Sequence, residues 1–203
     1  MIEIGATVEL RLAYTNNIVT AYRQASPRVK RLGASWYPVA HDLAEIIGDG
    51  DVRKGAGMLA ALSANKGWSE NVRLARDAAA GHLHGHVRDA LGKVERIMAG
   101  EDPREVLPTG IKTWHFFVCI AYPGNDYSVV IDRHAHDVAV GEVYGERDRG
   151  LRSPQRYALL AECYRAAARK VRALPSRVQA TVWIAHREAL SGIGHRGQLV
   201  GGA

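Results

Sequence analysis

One stretch limits the folds open to this chain more than any other. After Lys112, the residues Trp114, Phe116, Phe117, Val118 and Ile120 make a helix that is apolar almost all round. Such a helix has no side to give to water and belongs in the middle of a bundle of other helices. The aromatic side chains in it are read as core, and none is assigned to a ligand. Just before it, Leu107-Pro108-Thr109-Gly110 reads as a sharp turn between two helices, because Pro108 cannot continue a helix and Gly110 tolerates the backbone angles of a reversal. Just after it, the apolar run Val129-Val130-Ile131 leads to Asp132, well suited to be the N-cap of a helix carrying His134, Val138 and Val140.

The flanking sequence supplies partners for that central helix. Residues 3 to 24 read as a helix with Val8, Leu12, Ile18, Val19 and Tyr22 near helical spacing, ended by Ser26-Pro27. The basic run Arg28 to Arg31 and Gly33 read as a connection. A second helix follows from Trp36 to Ile47, with Trp36, Val39, Leu43 and Ile46/Ile47 on one side. Gly48-Asp49-Gly50 is the expected crossing point between two lobes. Residues 51 to 64 give a helix of small residues with Val52, Met58, Leu59 and Leu62 on its apolar face, expected to be buried and central. A stop around Asn65 to Gly67 precedes a helix expected to be capped by Ser69.

Farther on, Val94, Ile97 and Met98 pack one helix while Lys93, Glu95 and Arg96 face outward. Glu101-Asp102-Pro103 opens the helix leading into the turn. Ser153-Pro154 starts a long amphipathic helix reaching Arg172. Pro175 starts a last one with Val178, Val182, Trp183 and Ala185/Ala189 as its buried side, before a glycine-rich tail. No alternating run demands a sheet, so the class is all-α. The expected organisation is a central lobe over 51–122 and a second lobe built from 1–50 and 123–203.

Composition sorts the functions. The 203 residues carry a net charge of +6, with arginine clusters at 28–31, 147–156 and 165–177, compatible with a polyanionic partner. No apolar run is long enough to span a bilayer and the first residues do not look like a signal peptide, so the expected setting is intracellular, with no membrane partner. His82, His84 and His86 alternate, yet no carboxylate or cysteine cluster completes a metal site at standard spacing, and no cofactor is expected. Cys119 and Cys163 are the only cysteines, which fits a reducing compartment.

Position by position, "LPTGIKT" and "VIDRHAHDVAVG" resemble the helix-hairpin-helix DNA glycosylase superfamily, the endonuclease III-like fold. Family members carry a leucine-proline-glycine hairpin followed by Gly-x-Lys-Thr in the lysine-bearing branch, then an apolar helix, then Val-Asp-Thr-His-Val before another helix. The resemblance covers roughly residues 58 to 141. It implies a two-lobed helical bundle and matches Lys112 to the lysine that attacks the sugar in bifunctional members. It matches Asp132 to the aspartate that active members need, and His134 to the histidine two residues on, with Arg133 and His136 lining the same segment. "LSANK" is similar to the family's Leu-Ser-Ala-Gln segment, so that Asn65 would reach into DNA to fill the gap left by an extruded base. Asn65, Lys93, Thr109, Gly110 and Thr113 are the DNA contacts that the resemblance implies, on duplex DNA with a flipped nucleotide.

Three departures stand out. The hairpin is one residue short, it lacks the second glycine, and Arg133 replaces threonine. With two cysteines, the chain cannot hold the four-cysteine iron-sulfur cluster of some relatives, which implies a divergent, phage-type, cluster-free member.

Breaking a glycosidic bond puts positive charge on the sugar, and a carboxylate held beside it stabilises that charge; Asp132 is the residue expected to do so. A lysine with a lowered pKa can attack the anomeric carbon and form a Schiff base that permits strand cleavage, the role expected of Lys112. Three functions fit this pattern. One is a DNA glycosylase with or without lyase activity. Another is a glycosylase-fold enzyme processing hypermodified pyrimidines, as in phage families that it resembles. The last is a non-catalytic DNA-binding or inhibitor protein of the same fold.

Overall fold

The structure, a computed structural model, describes residues 7–109 and 112–198, with side chains as far as Ser191. Among the described residues there are ten helices and no strand: α1 (Val8–Gln24), α2 (Pro27–Ile47), α3 (Val52–Ala61), α4 (Trp68–Ala79), α5 (Arg88–Met98), α6 (Pro103–Val106), α7 (Lys112–Ala121), α8 (Arg133–Val140), α9 (Pro154–Val171) and α10 (Pro175–Gln198). The chain divides into two compact units, the first made of 1–36 and 131–203, the second of 37–130. The divisions therefore fall at 36/37, inside α2, and at 130/131, where the sequence reading places them at 50/51 and 122/123. Among the described residues no helix is long and apolar enough to cross a membrane.

In the first unit, α1, α8, α9 and α10 pack on one another. Ile18 of α1, Leu160 and Tyr164 of α9 and Val178 and Val182 of α10 are fully buried, each large apolar side chain contributing roughly 1.5–3 kcal/mol of transfer free energy. The Tyr164 hydroxyl donates to the Ala135 carbonyl at 2.9 Å, so its one polar atom is matched. The buried face of α1 is Tyr14, Thr15, Ile18 and Val19, whereas Val8 and Leu12, expected inside, are exposed. Bulk decides the phase of the helix, because Tyr14 enters the core and carries Ile18 with it one turn on.

The basic run 28–31 is not a connection. α2 starts at Pro27, whose missing N–H costs nothing at a helix start, and the Ser26 hydroxyl accepts from the Val29 amide at 3.2 Å. Gly33 then lies inside the helix. A Cβ there would stand 2.2 Å from Oγ1 and 2.6 Å from Cα of Thr181 on α10, so the two backbones meet where a side chain is missing.

In the second unit, α3 is the hub, touching α4, α5, α6 and α7. Asp51 caps it, accepting from the Arg53 and Lys54 amides at 2.9 and 3.1 Å. Every residue from Gly55 to Ala61 is buried, as the run of small residues suggests. Gly55 and Gly57 allow the approach: Cβ atoms there would meet the Ala44 carbonyl and the Pro103 ring. α7 buries His115, Phe116, Phe117, Cys119, Ile120 and Ala121. The buried side of the second half of α2 is Tyr37, Ala40, Ala44 and Ile47, and Val39 and Ile46, expected inside, are exposed. The small Ala40 and Ala44 bring α2 close enough for α3 to pack at Gly55. α4 begins at Trp68 with Gly67 as its cap, so Ser69, the expected cap, lies one residue inside the helix.

Candidate functional site

The site is built on the start of α8. Val129, Val130 and Ile131 are all buried, which fixes where the next residue stands. Asp132 is the N-cap, and its Oδ1 accepts from the Ala135 amide at 2.8 Å. Its Oδ2 accepts from the indole Nε1–H of Trp183 on α10 at 2.9 Å. The carboxylate is thus held by two donors from two helices and remains half-exposed. At the other end, α8 closes on Gly141 with φ 81°, and the side chain of Asn17 fills the space beside it, donating to the Ala139 carbonyl at 3.0 Å.

Trp183 is a residue that the sequence reading placed in the core without a role. A tryptophan needs a partner for its N–H when it is drawn inside, and that requirement was the signal to look for a nearby acceptor. Around its ring stand Trp36 at 6.3 Å and His134 at 6.2 Å, both edge-on, with the Arg187 guanidinium 4.6 Å from the ring centre. An open depression of about 360 Å³ adjoins it, lined by Trp183, Ile184, Arg187, Glu188 and Ser191.

His134 meets a second histidine absent from the sequence reading. Its Nδ1 lies 3.1 Å from Nδ1 of His186, and the exposed Arg133 donates from Nε to its Nε2 at 3.3 Å. An arginine can only donate, so Nε2 of His134 is the acceptor and its proton sits on Nδ1, which donates to His186. His186 then carries its own proton on Nε2. Burial holds both imidazoles below the usual histidine range, and the opposing charge, Asp132 for His134 and Asp137 with Asp132 for His186, only partly offsets it. The pair is neutral.

His136, expected beside Asp132, turns the other way and has no exposed surface. Its Nδ1–H donates to Asp137 at 2.9 Å, its Nε2 accepts from Arg156 at 3.2 Å, and Tyr144 packs edge-on at 4.6 Å. Arg149 closes on Asp137 with two bonds of 2.7 Å. Burial alone would raise the Asp137 carboxyl, but Arg149, His136 and the Tyr144 amide outweigh it and bring it down to about 2. This cluster is a buried latch on the segment after α8, which removes His136 from the group at Asp132.

The other expected residues lie in the second unit. Lys112 is the first residue of α7, half-buried, with Thr113 half-buried beside it. Thr109 is exposed, and Gly110 lies outside the described residues. The arm before the turn, α6, is a single turn of helix. Asn65 is exposed in a left-handed conformation, φ 57°, three residues past Leu62, the C-cap of α3. His86 holds that turn, donating from Nε2 to the Ala64 carbonyl at 3.1 Å. Lys93 pairs with Asp89 along α5. Among the described residues no group of three or more histidine, cysteine or carboxylate side chains is placed to hold a metal ion. Burial pushes both thiols up, so neither cysteine is a ready nucleophile.

A family model covers most of the chain, matching residues 2–190. The chain belongs to DUF7178. That family is described as one of unknown function, and its match takes in Lys112, Asp132, Trp183 and His186 together. No curated protein and no solved structure matches the chain.

Charge in this DUF7178 chain is unevenly shared. The first unit has 17 Lys and Arg against 9 Asp and Glu, a net +8, and the second has 10 against 12, a net −2. The unit that carries Asp132 therefore holds all of the positive excess.

Proposed function

We propose that this protein acts on a flipped base in DNA through a helix-hairpin-helix glycosylase-like fold, cleaving the N-glycosidic bond. The observation that supports it best is the setting of Asp132, a half-exposed carboxylate fixed by the Ala135 amide and the Trp183 indole. A carboxylate so held needs no reorganisation as positive charge grows on the sugar, which is what electrostatic stabilisation of that transition state requires.

Lys112 is assigned the nucleophile's role. Its neutral amine forms a bond to C1′ as the bond from C1′ to the base breaks and the base leaves with the electron pair and takes up a proton; the attached nitrogen, having lost a proton, then expels O4′, which opens the sugar ring and takes up a proton, leaving a Schiff base that permits strand cleavage. The positive excess of the first unit suits a polyanionic substrate.

Borohydride trapping on duplex DNA carrying abasic sites and a panel of altered bases, with Lys112→Gln alongside, tests the assignment. A covalent adduct that disappears with Lys112→Gln supports a glycosylase with lyase activity. Free base without an adduct supports a glycosylase that uses water. Neither adduct nor free base, with an altered base still attached to the treated DNA, overturns cleavage in favour of base modification.

A further inference from the structure

The sequence reading puts the DNA contacts on the hairpin side, yet that unit has a net charge of −2. A run of positive charge without acidic partners among the described residues lies elsewhere, at the turn from α9 into α10. Arg169, Lys170, Arg172 and Arg177 are all exposed there, within nine residues of one another. Among the described residues none of the four meets a carboxylate. Lys170 donates to the neutral Asn16 side chain at 3.2 Å and keeps its charge. The acid nearest in sequence on α9, Glu162, is taken by Arg11, and the nearest on α10, Glu188, by Arg28.

Helix stability accounts for only part of this cluster. Arg169 and Lys170 sit in the last turn of α9, where cations offset the helix dipole. Arg177 sits in the first turn of α10, the end at which a cation is unfavourable, and no acidic residue stands there with it. Arg172 is the C-cap of α9 in a left-handed conformation, φ 55° and ψ 49°, where glycine would be free of strain. A cation is therefore held at two positions that the fold alone would assign to other residues.

We propose that the α9–α10 turn is the surface that grips the phosphate backbone of duplex DNA. The four cations neutralise phosphates, and the hairpin is left with the smaller share of the binding. The surface is not suited to a lipid bilayer, because no large apolar side chain between 165 and 178 is exposed to enter it. The inference rests on DNA as the substrate but not on what is done to the base.

The test is the affinity of the full chain for a 20-base-pair duplex by fluorescence anisotropy, over a salt series. The combined variant Arg169→Gln, Lys170→Gln, Arg172→Gln and Arg177→Gln should weaken binding at least about tenfold and make the slope of log Kd against log salt shallower by about 3 to 4. A charge-keeping variant with Arg169→Lys, Arg172→Lys and Arg177→Lys should bind within a fewfold of the natural protein, which separates loss of charge from loss of fold. Lys93→Gln with Thr109→Ala should change the slope by about 1 or less.

An unchanged slope in the combined variant overturns the proposal. So does failure of the natural protein to bind duplex DNA, including the case in which it binds phosphatidylserine vesicles instead. Base release is measured on the same samples: release with binding that does not depend on the four cations overturns this inference alone, and cation-dependent binding without release overturns only the reading of the chemistry.

Discussion

The indole of Trp183 donates to Oδ2 of Asp132 at 2.9 Å while the amide of Ala135 donates to Oδ1. One short helix and one long helix are thereby joined through a single carboxylate. Each donor is a partly buried N–H that would lose a partner if the side chain changed, so position 132 has a structural duty that can be measured apart from any chemistry.

Asp132→Asn separates the two. Asparagine is as good an N-cap as aspartate, but its amide has one acceptor atom where the carboxylate has two. Either the Ala135 amide or the Trp183 indole is left facing an NH₂ group. Denaturant unfolding should show a loss of about 1–2 kcal/mol, and base release should fall at least about 100-fold. Activity equal to that of the natural protein would sink the role given to Asp132.

Trp183→Phe keeps an aromatic ring and removes the donor. The carboxylate then has one anchor, and kcat should fall about tenfold with KM for DNA little changed, because the loss concerns orientation and not DNA contact. A rise in KM alone would mean that Trp183 serves binding.

The latch at Asp137 predicts an acid response. Its carboxyl is held at about 2 in the fold, against about 3.9 for an unfolded aspartate. A lowered folded-state value contributes stability that is present above the unfolded value and is lost as pH falls from about 4 towards 2. Asp137→Asn should therefore cost on the order of 2 kcal/mol at neutral pH and flatten the fall of stability across that window. Thermal melts of both proteins between pH 2 and 7 check it, and parallel curves would refute it.

The histidine pair responds at milder pH. Burial lowers both His134 and His186, so the unfolded chain takes up protons first as pH falls through about 6.5, and the contribution of the pair to stability declines below that point. Proton–nitrogen NMR should find His134 protonated on Nδ1 and His186 on Nε2 at neutral pH. The opposite pair of tautomers would show that Arg133 does not set the order.

The elements written in bulk and glycine were legible from sequence. The apolar helix α7, the small-residue helix α3 and the Ser153-Pro154 start of α9 lie where the pattern puts them. Asp132 was readable as a cap because capping is a local event. The phase of α1 was not, since Val8 and Tyr14 compete for the inside and only the shape of the opposing core chooses. Trp183 and His186 lie about fifty residues from Asp132 and His134, and nothing local marks such a meeting. His136 looked like a neighbour of Asp132 because it is one turn away, but its ring had a buried carboxylate and Arg156 to satisfy.

Gly33 carries no chemistry, yet it stands behind all of this. Its missing side chain sets how near α10 can stand to α2 at Thr181, and α10 presents both Trp183 and His186. A single added methyl at position 33 collides with backbone atoms, which cannot swing aside, so the long helix would have to shift with its indole and imidazole. A screen for loss of the proposed base release should thus return lesions at position 33 together with those at 132. The spacer and the carboxylate form one unit, the first setting a distance and the second held at it.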